Sequence, residues 1–510
     1  MTVETKEVEQ KYEAQPGTRL PALDDLPHVA TVSGPEVETL VAEYYDTDDL
    51  RLLRAGITLR RREGGGDEGW HLKLPDEQDR TGTSRREIRV PLNRPGDPAP
   101  EELARLIQVY SRGVPLRPVA RIETRRHRTT LRDAAGTSLA DVLADEVAAQ
   151  TLGRSTTVSR WNEIEVELTG GSPRLLKAAG KRLRNGGLRP AARSAKLERA
   201  LSAEMPPARA TEPITRHSPS GQVVLAYLNQ QTSRLKSLDP AVRRNEPDSV
   251  HQMRVTSRRL RSTFQSFPMI WPASGTRHLR DELKWFGGVL GEARDDEVLS
   301  EHLRSELATT PAELVMGPAQ ARIRAHYAPR EAQARGRVLE ALDSPRYFAM
   351  LDELDRLLDD PPSTEAAAAP ADQVLPAAVK RAYRRTRRRI RRARSAPAGP
   401  AREVALHEAR KAAKRARYAA EAAQPVAGKK ARRFVKRMKQ VQSVLGDHQD
   451  AVNARAVARE IGVQAHLAGE NAFSYGLLYE RANRATLDHQ AQARQAWKRA
   501  ARAKSRKWLR

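Results

Sequence analysis

Residues 161–168 read WNEIEVEL: carboxylates stand at Glu163, Glu165 and Glu167, and aliphatic side chains at Ile164, Val166 and Leu168. A strand sends successive side chains to opposite faces. Trp161, Glu163, Glu165 and Glu167 therefore share one face, and the aliphatic residues share the other. Three carboxylates along one strand face repel each other unless cations or basic groups neutralise them. Other segments of the first 200 residues supply such groups with the same alternation. Glu7, Glu9 and Lys11 share a face, as do Arg60 with Arg62, His71 with Lys73, and Arg85 with Glu87 and Arg89. An ordinary sheet with one wet face accommodates any one of these. A closed barrel with a charged interior, its apolar face packed under helices, accommodates all of them.

Period-two alternation predicts strands over residues 3–12, 56–62, 70–74, 85–91, 120–132 and 161–168. The run EGGGDEG at 63–69 reads as a hairpin tip. Helices are expected at 35–39, 100–110 and 173–184. This first domain is set at residues 1–203, followed by a linker at 204–218 within a Pro-rich stretch. Beyond it alternation gives way to Ala, Leu, Arg and Glu at helical period. Breaks at 359–376 and 395–400 divide the helical domain, 219–510, into parts at about 219–358 and 375–510.

Charge separates the two regions. The formal net charge is +26. Residues 1–210 hold 34 Lys+Arg against 32 Asp+Glu, and the remaining 300 hold 56 against 32. A basic helical domain of that size implies an anionic partner. There is no cysteine, which excludes disulfides and thiolate metal sites. The polar, acidic start and the lack of an apolar run near ~18 residues lead us to expect a cytoplasmic protein, not a membrane one.

The helical region contains a duplication. His251, Arg254, Arg258 and Arg261 recur as His407, Arg410, Lys414 and Arg417, with identical spacing. On a helix each set falls within roughly 80° of arc over about 15 Å. Met253, Leu260, Phe264 and Phe267 lie on a separate face, and Ala409, Ala416, Ala420 and Ala423 take the same angles in the second copy. The apolar stripe is expected to pack inward and the basic one to face solvent, with closer packing where the alanines lie. Leu283-Lys284, Leu290-Gly291 and Asp295 recur as Met438-Lys439, Leu445-Gly446 and Asp450. Lys284 and Lys439 join the expected anion surface, and Asp295 and Asp450 are expected to orient basic groups. A further basic run, KRAYRRTRRRIRRAR at 380–394, is read as a charged helix face, with an extension of the anion groove or nonspecific nucleic-acid binding as the alternatives; the basic tail at 496–510 receives no role.

The first 203 residues resemble the CYTH, or triphosphate tunnel metalloenzyme, superfamily. The resemblance is carried, in chain order, by Glu7-x-Glu9-x-Lys11, Tyr44-Tyr45-Asp46-Thr47, Leu59-Arg60-Arg61-Arg62, Lys73 in its Trp-x-Leu-Lys-x-Pro context, Arg85-Arg86-Glu87, LADVLADEV at 139–147, EIEVEL at 163–168 and Ser194-Ala195-Lys196-Leu197. It implies an eight-stranded antiparallel tunnel that binds triphosphate and Mg²⁺ or Mn²⁺. Glu7, Glu9, Asp145, Glu165 and Glu167 would be metal ligands, with Glu7, Glu9 and Lys11 the catalytic set. Lys11, Arg60, Arg62, Lys73, Arg85, Arg125 and Lys196 would hold phosphates, with Arg126 the alternative to Arg125 until the register is known. The 139–147 segment would be a strand pair ending in Asp145.

The helical region resembles the CHAD domain, over about residues 215–510. That resemblance implies two stacked four-helix bundles with a basic groove, binding inorganic polyphosphate through His251, Arg254, Arg258, Arg261, Lys284, His407, Arg410, Lys414, Arg417 and Lys439. The expected protein is therefore α+β and multidomain: a β tunnel with flanking helices, then an all-α tandem. Its expected activity is metal-dependent hydrolysis of inorganic triphosphate or a related phosphoanhydride, coupled to polyphosphate binding and association with polyphosphate granules. The alternatives are a non-catalytic polyphosphate-binding protein and nonspecific nucleic-acid binding through the basic helices.

Overall fold

A computed structural model describes residues 3–76, 84–92, 98–153, 156–192, 195–205, 213–362, 364–502 and 506–509. Ser194, residues 206–212 of the expected linker, Ser363 and residues 503–505 and 510 of the basic tail lie outside the described residues. The chain forms two units, 1–210 and 211–510.

The first unit contains strands β1 (Val3–Ala14), β2 (Thr31–Val32), β3 (Glu36–Asp46), β4 (Thr58–Glu63), β5 (Gly69–Pro75), β6 (Ser84–Val90), β7 (Arg117–Arg132), β8 (Ser138–Thr151), β9 (Val158–Leu168) and β10 (Arg189–Pro190). Its helices are α1 (Arg51–Arg54), α2 (Glu101–Ser111), α3 (Pro173–Asn185) and α4 (Lys196–Ala200). Eight strands pair antiparallel in the order β1-β6-β5-β4-β3-β7-β8-β9, and β9 returns to β1, closing the barrel. The short β2 and β10 attach to β7 and β1.

Two expectations are corrected. Residues 36–39 begin strand β3, not a helix. From Leu40 to Asp46 buried residues alternate with partly exposed ones, and the strand pairs with β7 along its length. Pro35 had the look of a helix N-terminus, but cross-strand pairing decides the conformation. The 139–147 segment is one long strand, β8, rather than a pair.

Alternation explains why the barrel is charged inside. The outward faces of β8 and β9, including Val142, Ile164 and Val166, pack under Leu175, Leu176, Ala179 and Leu183 of α3. The apolar residues thus leave water on the outside of the barrel, which frees the interior for charge. One end of the interior is filled. Ala42, Ala120, Ile122, Val147, Ala149 and Trp161 cluster there with Leu197 and Leu201, at and just beyond α4. Arg199 of α4 stacks over the Trp161 ring at 4.9 Å. Asp46 is not part of the cavity: its carboxylate accepts hydrogen bonds from the Thr47, Leu52 and Leu53 amides at 2.7–2.9 Å, fixing the α1 turn.

The second unit is helical: α5 (Ser220–Arg243), α6 (Ser249–Ser266), α7 (Ala273–Ala308), α8 (Ala319–Leu342), α9 (Pro345–Asp359), α10 (Glu365–Ala368), α11 (Ala371–Ser395), α12 (Pro400–Ala422), α13 (Gln424–Leu467) and α14 (Phe473–Ala500). Helices α5 to α8 correspond to α11 to α14, and the duplicated stripes lie on α6 and α12. Met253, Leu260, Phe264, Phe267 and the four matching alanines are all buried. The copies share a core: Leu303, Leu307, Ile323 and Tyr327 of α7 and α8 pack with Ala458, Ile461, Tyr475 and Leu478 of α13 and α14. No helix among the described residues is long and apolar enough to cross a membrane.

Candidate functional site

The barrel encloses a cavity of about 360 Å³, within the range of small-molecule sites, roughly 300–1,000 Å³. Strand register decides what lines it. Glu9 lies opposite Glu167 and Lys11 opposite Glu165 on β1 and β9. Glu7 lies opposite Arg85 on β6. Lys73 lies opposite Thr58 on β4 and Glu87 on β6. Arg126 lies opposite Asp145 on β8. Carboxylates and cations therefore face each other across one space.

Their contacts form three groups. Lys73 Nζ donates to both Glu7 oxygens at 2.6 Å. Lys11 Nζ lies 2.5 Å from Glu165 and 3.3 Å from Glu9. Lys196 Nζ sits amid Asp145, Glu163 and Glu165 at 2.9, 2.7 and 2.7 Å, while Arg126 donates bidentately to Asp145 at 2.8 and 2.7 Å. These three carboxylates present oxygens within 4.8 Å of one another, a spacing that suits a cation; here the Lys196 ammonium fills it. Glu167 has no basic group at ion-pair distance among the described residues. Burial, followed by the charge of Glu7, pushes its carboxyl up to about 7. On the opposite wall, burial and the charges of Arg60 and Arg126 pull Arg62 down to about 9. Like charges thus crowd Glu167 on one side of the cavity and Arg62, which pairs with Asp67, on the other.

In the helical unit, the α6 and α12 stripes meet. Arg254 Nη1 donates to Asp295 at 2.7 Å. A Cβ added to Gly291 would lie 3.3 Å from the Arg254 guanidinium, and one at Gly446 would lie 2.9 Å from that of Arg410. The duplicated Leu-Gly therefore leaves room for an arginine fork to lie against the helix backbone. Lys414 is surrounded by Arg258, Arg410 and Arg254, with Asp450 its counter-charge. Burial, followed by these arginines, pulls its ammonium down to about 6.

Comparison with known proteins assigns both units. The CYTH domain model matches residues 5–194 and the CHAD domain model matches 226–459. An uncharacterized protein of Mycobacterium tuberculosis, found in two strains, is 36% identical over 488 residues, covering 93% of this chain and 92% of its own. The chain belongs to the CYTH–CHAD proteins. Among solved structures it is similar to PptA from Streptomyces chartreusis, at 22% identity and TM-score 0.46, over 55% of this chain and all of that one. It is also similar to the CHAD domain from the plant Ricinus communis, at 26% identity and TM-score 0.41, over 60% and 96%. CYTH tunnel proteins are metal-dependent, and CYTH and CHAD proteins are linked to triphosphate or polyphosphate substrates.

The CYTH tunnel brings Glu7, Glu9, Lys11, Arg60, Arg62, Lys73, Arg85, Glu165, Glu167 and Lys196 to one cavity wall or another, and Asp145 is buried beside it. Arg125 is a correction: it faces outward, its side chain 61% exposed and near Glu146, while Arg126 takes the inward position. Residues to which the sequence reading gave no site role also line the cavity, among them Tyr44, Glu87 and Arg128. Glu87 accepts from Arg89 at 2.7 Å and is held by the buried His71 at 3.0 Å; its alternation with Arg85 was the available signal. In the CHAD helices His251, Arg254, Arg258, Arg261, His407, Arg410 and Lys414 are partly exposed, and Lys284 and Lys439 are exposed. Arg417 is a second correction. It is buried at 7% exposure, paired with Glu421 at 3.0 Å and lying over Tyr418, so it does not face solvent.

Proposed function

We propose that the CYTH tunnel hydrolyses inorganic triphosphate or a related phosphoanhydride with Mg²⁺ or Mn²⁺, and that the CHAD helices bind polyphosphate. The observation that supports this most directly is the division of one cavity into an acidic wall, Glu7, Glu9, Glu165 and Glu167, and a basic wall, Arg60, Arg62, Lys73, Arg85 and Arg126. The acidic wall fits a hard cation, because its donors are all carboxylate oxygens and Glu167 has no basic partner among the described residues. Glu7, Glu9 and Glu167 would hold the metal. Lys73 and Lys11 would have to release Glu7 and Glu9 for this, and Asp145 and Glu165 would join only where Lys196, Arg126 and Lys11 also yield. A divalent ion bound there supplies charge neutralisation at phosphate oxygens and a more acidic water.

The remaining work falls to the chain. Phosphoryl transfer needs positioning and charge stabilisation more than covalent help. Arg60, Arg62 and Arg126 present planar forks to phosphate oxygens, while Lys73 and Lys11 can exchange carboxylate partners for phosphate. The apolar cluster at α4 closes one end of the interior and limits water entry there. No histidine base is required.

For the helices, polyphosphate is favoured over nucleic acid by the fate of the aromatic in the basic run. Tyr383 is buried and stacked on Trp497 at 5.7 Å, so it offers no platform for bases. A polyphosphate-binding CHAD unit could concentrate substrate for the tunnel or hold the protein on polyphosphate granules.

Phosphate release should be measured with triphosphate, thiamine triphosphate, nucleoside triphosphate and long-chain polyphosphate, with Mg²⁺ or Mn²⁺ and with EDTA. Metal-dependent release from triphosphate is expected. Binding without release from any of them would leave a non-catalytic polyphosphate-binding protein.

A further inference from the structure

The CHAD duplication is broken at one contact. Equivalent residues in the stripes lie 156 positions apart, so Arg259 corresponds to Arg415 and Gln265 to Glu421. Helices α6 and α12 meet reciprocally at these residues. Arg259 Nε donates to Glu421 Oε2 at 3.1 Å, and Arg415 Nη2 donates to Gln265 Oε1 at 2.5 Å. The two contacts are counterparts, but one acceptor is a carboxylate and the other an amide.

The consequences differ. Around Glu421 the charge is closed: Arg259 and Arg417 both pair with it, and both guanidinium groups lie near the Tyr418 ring, at 5.8 and 4.7 Å. Around Gln265 Arg415 meets an uncharged oxygen, and Arg261, the counterpart of Arg417, adds its charge to Arg415 without a carboxylate between them. Arg280 of α7 and Arg385 of α11 join them. Among the described residues no carboxylate lies at ion-pair distance from any of these four arginines; Asp281 acts on Arg261 only from longer range. The Nε of Arg280 is buried without a hydrogen-bond partner among the described residues. Burial, followed by the charges of Arg385, Arg261 and Arg280, pulls Arg415 down to about 10. A like-charged cluster of this kind is costly unless an anion completes it.

We infer that Arg415, held by Gln265, and the neighbouring Arg261, Arg280 and Arg385 form an additional subsite for phosphate groups of a polyphosphate chain, one that the second repeat closes with Glu421. The inference rests on the polyphosphate reading of the CHAD helices. Guanidinium forks from four helices suit the several oxygens of a phosphate chain. The cluster draws in Arg280 and Arg385, which lie outside the duplicated stripe. Through Arg385 it favours, for the basic run of α11, the reading as an extension of the anion groove.

Gln265→Glu tests this directly, because it adds a carboxylate without adding volume. Affinity of the full-length protein for long-chain polyphosphate is expected to fall roughly tenfold, with a shallower salt dependence and an unchanged or higher melting temperature. Glu421→Gln is expected to strengthen binding, and the exposed Arg385→Ala to weaken it without loss of fold. Wild-type protein that fails to bind polyphosphate overturns the underlying reading. Wild-type binding that is lost in Arg258→Glu yet unchanged in both Gln265→Glu and Arg385→Ala overturns the subsite alone. DNA binding that responds to Gln265→Glu, with polyphosphate binding indifferent to it, would assign the subsite to nucleic acid and also overturn the proposal.

Discussion

The tunnel and the helical stripes both gather basic side chains, but they balance them differently. In the tunnel nearly every cation has a carboxylate partner: Lys73 with Glu7, Lys11 with Glu165, and Lys196 with Asp145, Glu163 and Glu165. Along α6 and α12, Lys414 and Arg415 sit mostly among other cations. A buried charge must be paired to be tolerated, so an enclosed tunnel carries its own counter-ions. A partly exposed helix face can leave that task to solvent ions and a ligand. The first arrangement suits a small ligand that arrives with a metal. The second suits a long anion that displaces salt.

Salt offers the largest test of this contrast. Raising ionic strength from ~50 to ~200 mM should weaken polyphosphate binding on the order of 1,000-fold if about eight phosphates are contacted. KM for triphosphate in the tunnel should move far less, because buried charges are less screened. Equal salt dependence in the two assays would erase the distinction.

Removing a carboxylate from the acidic wall comes next. Glu9→Gln should lower metal-dependent triphosphate hydrolysis by about 100-fold or more, with circular dichroism unchanged; full activity in this variant or in EDTA would sink the hydrolase reading. Register supplies a finer test. Arg126→Ala should cost roughly tenfold in kcat/KM, the scale of one charged hydrogen bond. Arg125→Ala, one residue away and outside the barrel, should leave it unchanged. A reversed result would mean that β7 is shifted by one residue.

The smallest expected effect is a pH dependence of polyphosphate binding by the helices. Lys414, facing Arg258, Arg410, Arg254 and Asp450, is held near 6 in the free protein. A bound polyanion favours the ammonium and raises that value. Affinity is then full below about pH 6 and declines as pH rises through the higher value of the complex, and binding between the two takes up a proton. The change should be a few-fold between pH 6 and 8. Lys414→Arg, which restores the residue type of the first copy, should flatten it, because guanidinium stays charged. Titration calorimetry in buffers of different ionisation enthalpy would show the proton uptake, and its absence in wild type would remove Lys414 from the ligand's reach.

The strands were legible where charge and apolar residues alternate, as in WNEIEVEL, because period two survives whatever the partner strand. Residues 36–46 alternate as well, but Pro35 followed by Glu36 also fits a helix start, and only pairing with β7 settles the matter. The stripe residues were legible from their repeated spacing. Arg417 shows the limit of that reading: its angle on the helix puts it with the others, yet Glu421 and Tyr418 draw it into the protein. The choice between Arg125 and Arg126 was closed to sequence, since adjacent arginines differ only in parity.

By itself, the sequence determined a charged-interior sheet, a duplicated helical region and the residue types that each presents, because side-chain periodicity is a local property of strand and helix. The tertiary structure decided which of those charges are neutralised: Lys196 within its acidic triad, Glu167 without a basic partner among the described residues, Glu421 closing one arginine cluster and Gln265 leaving its counterpart open. Neutralisation depends on distances between residues far apart in the chain, and folding alone sets those distances.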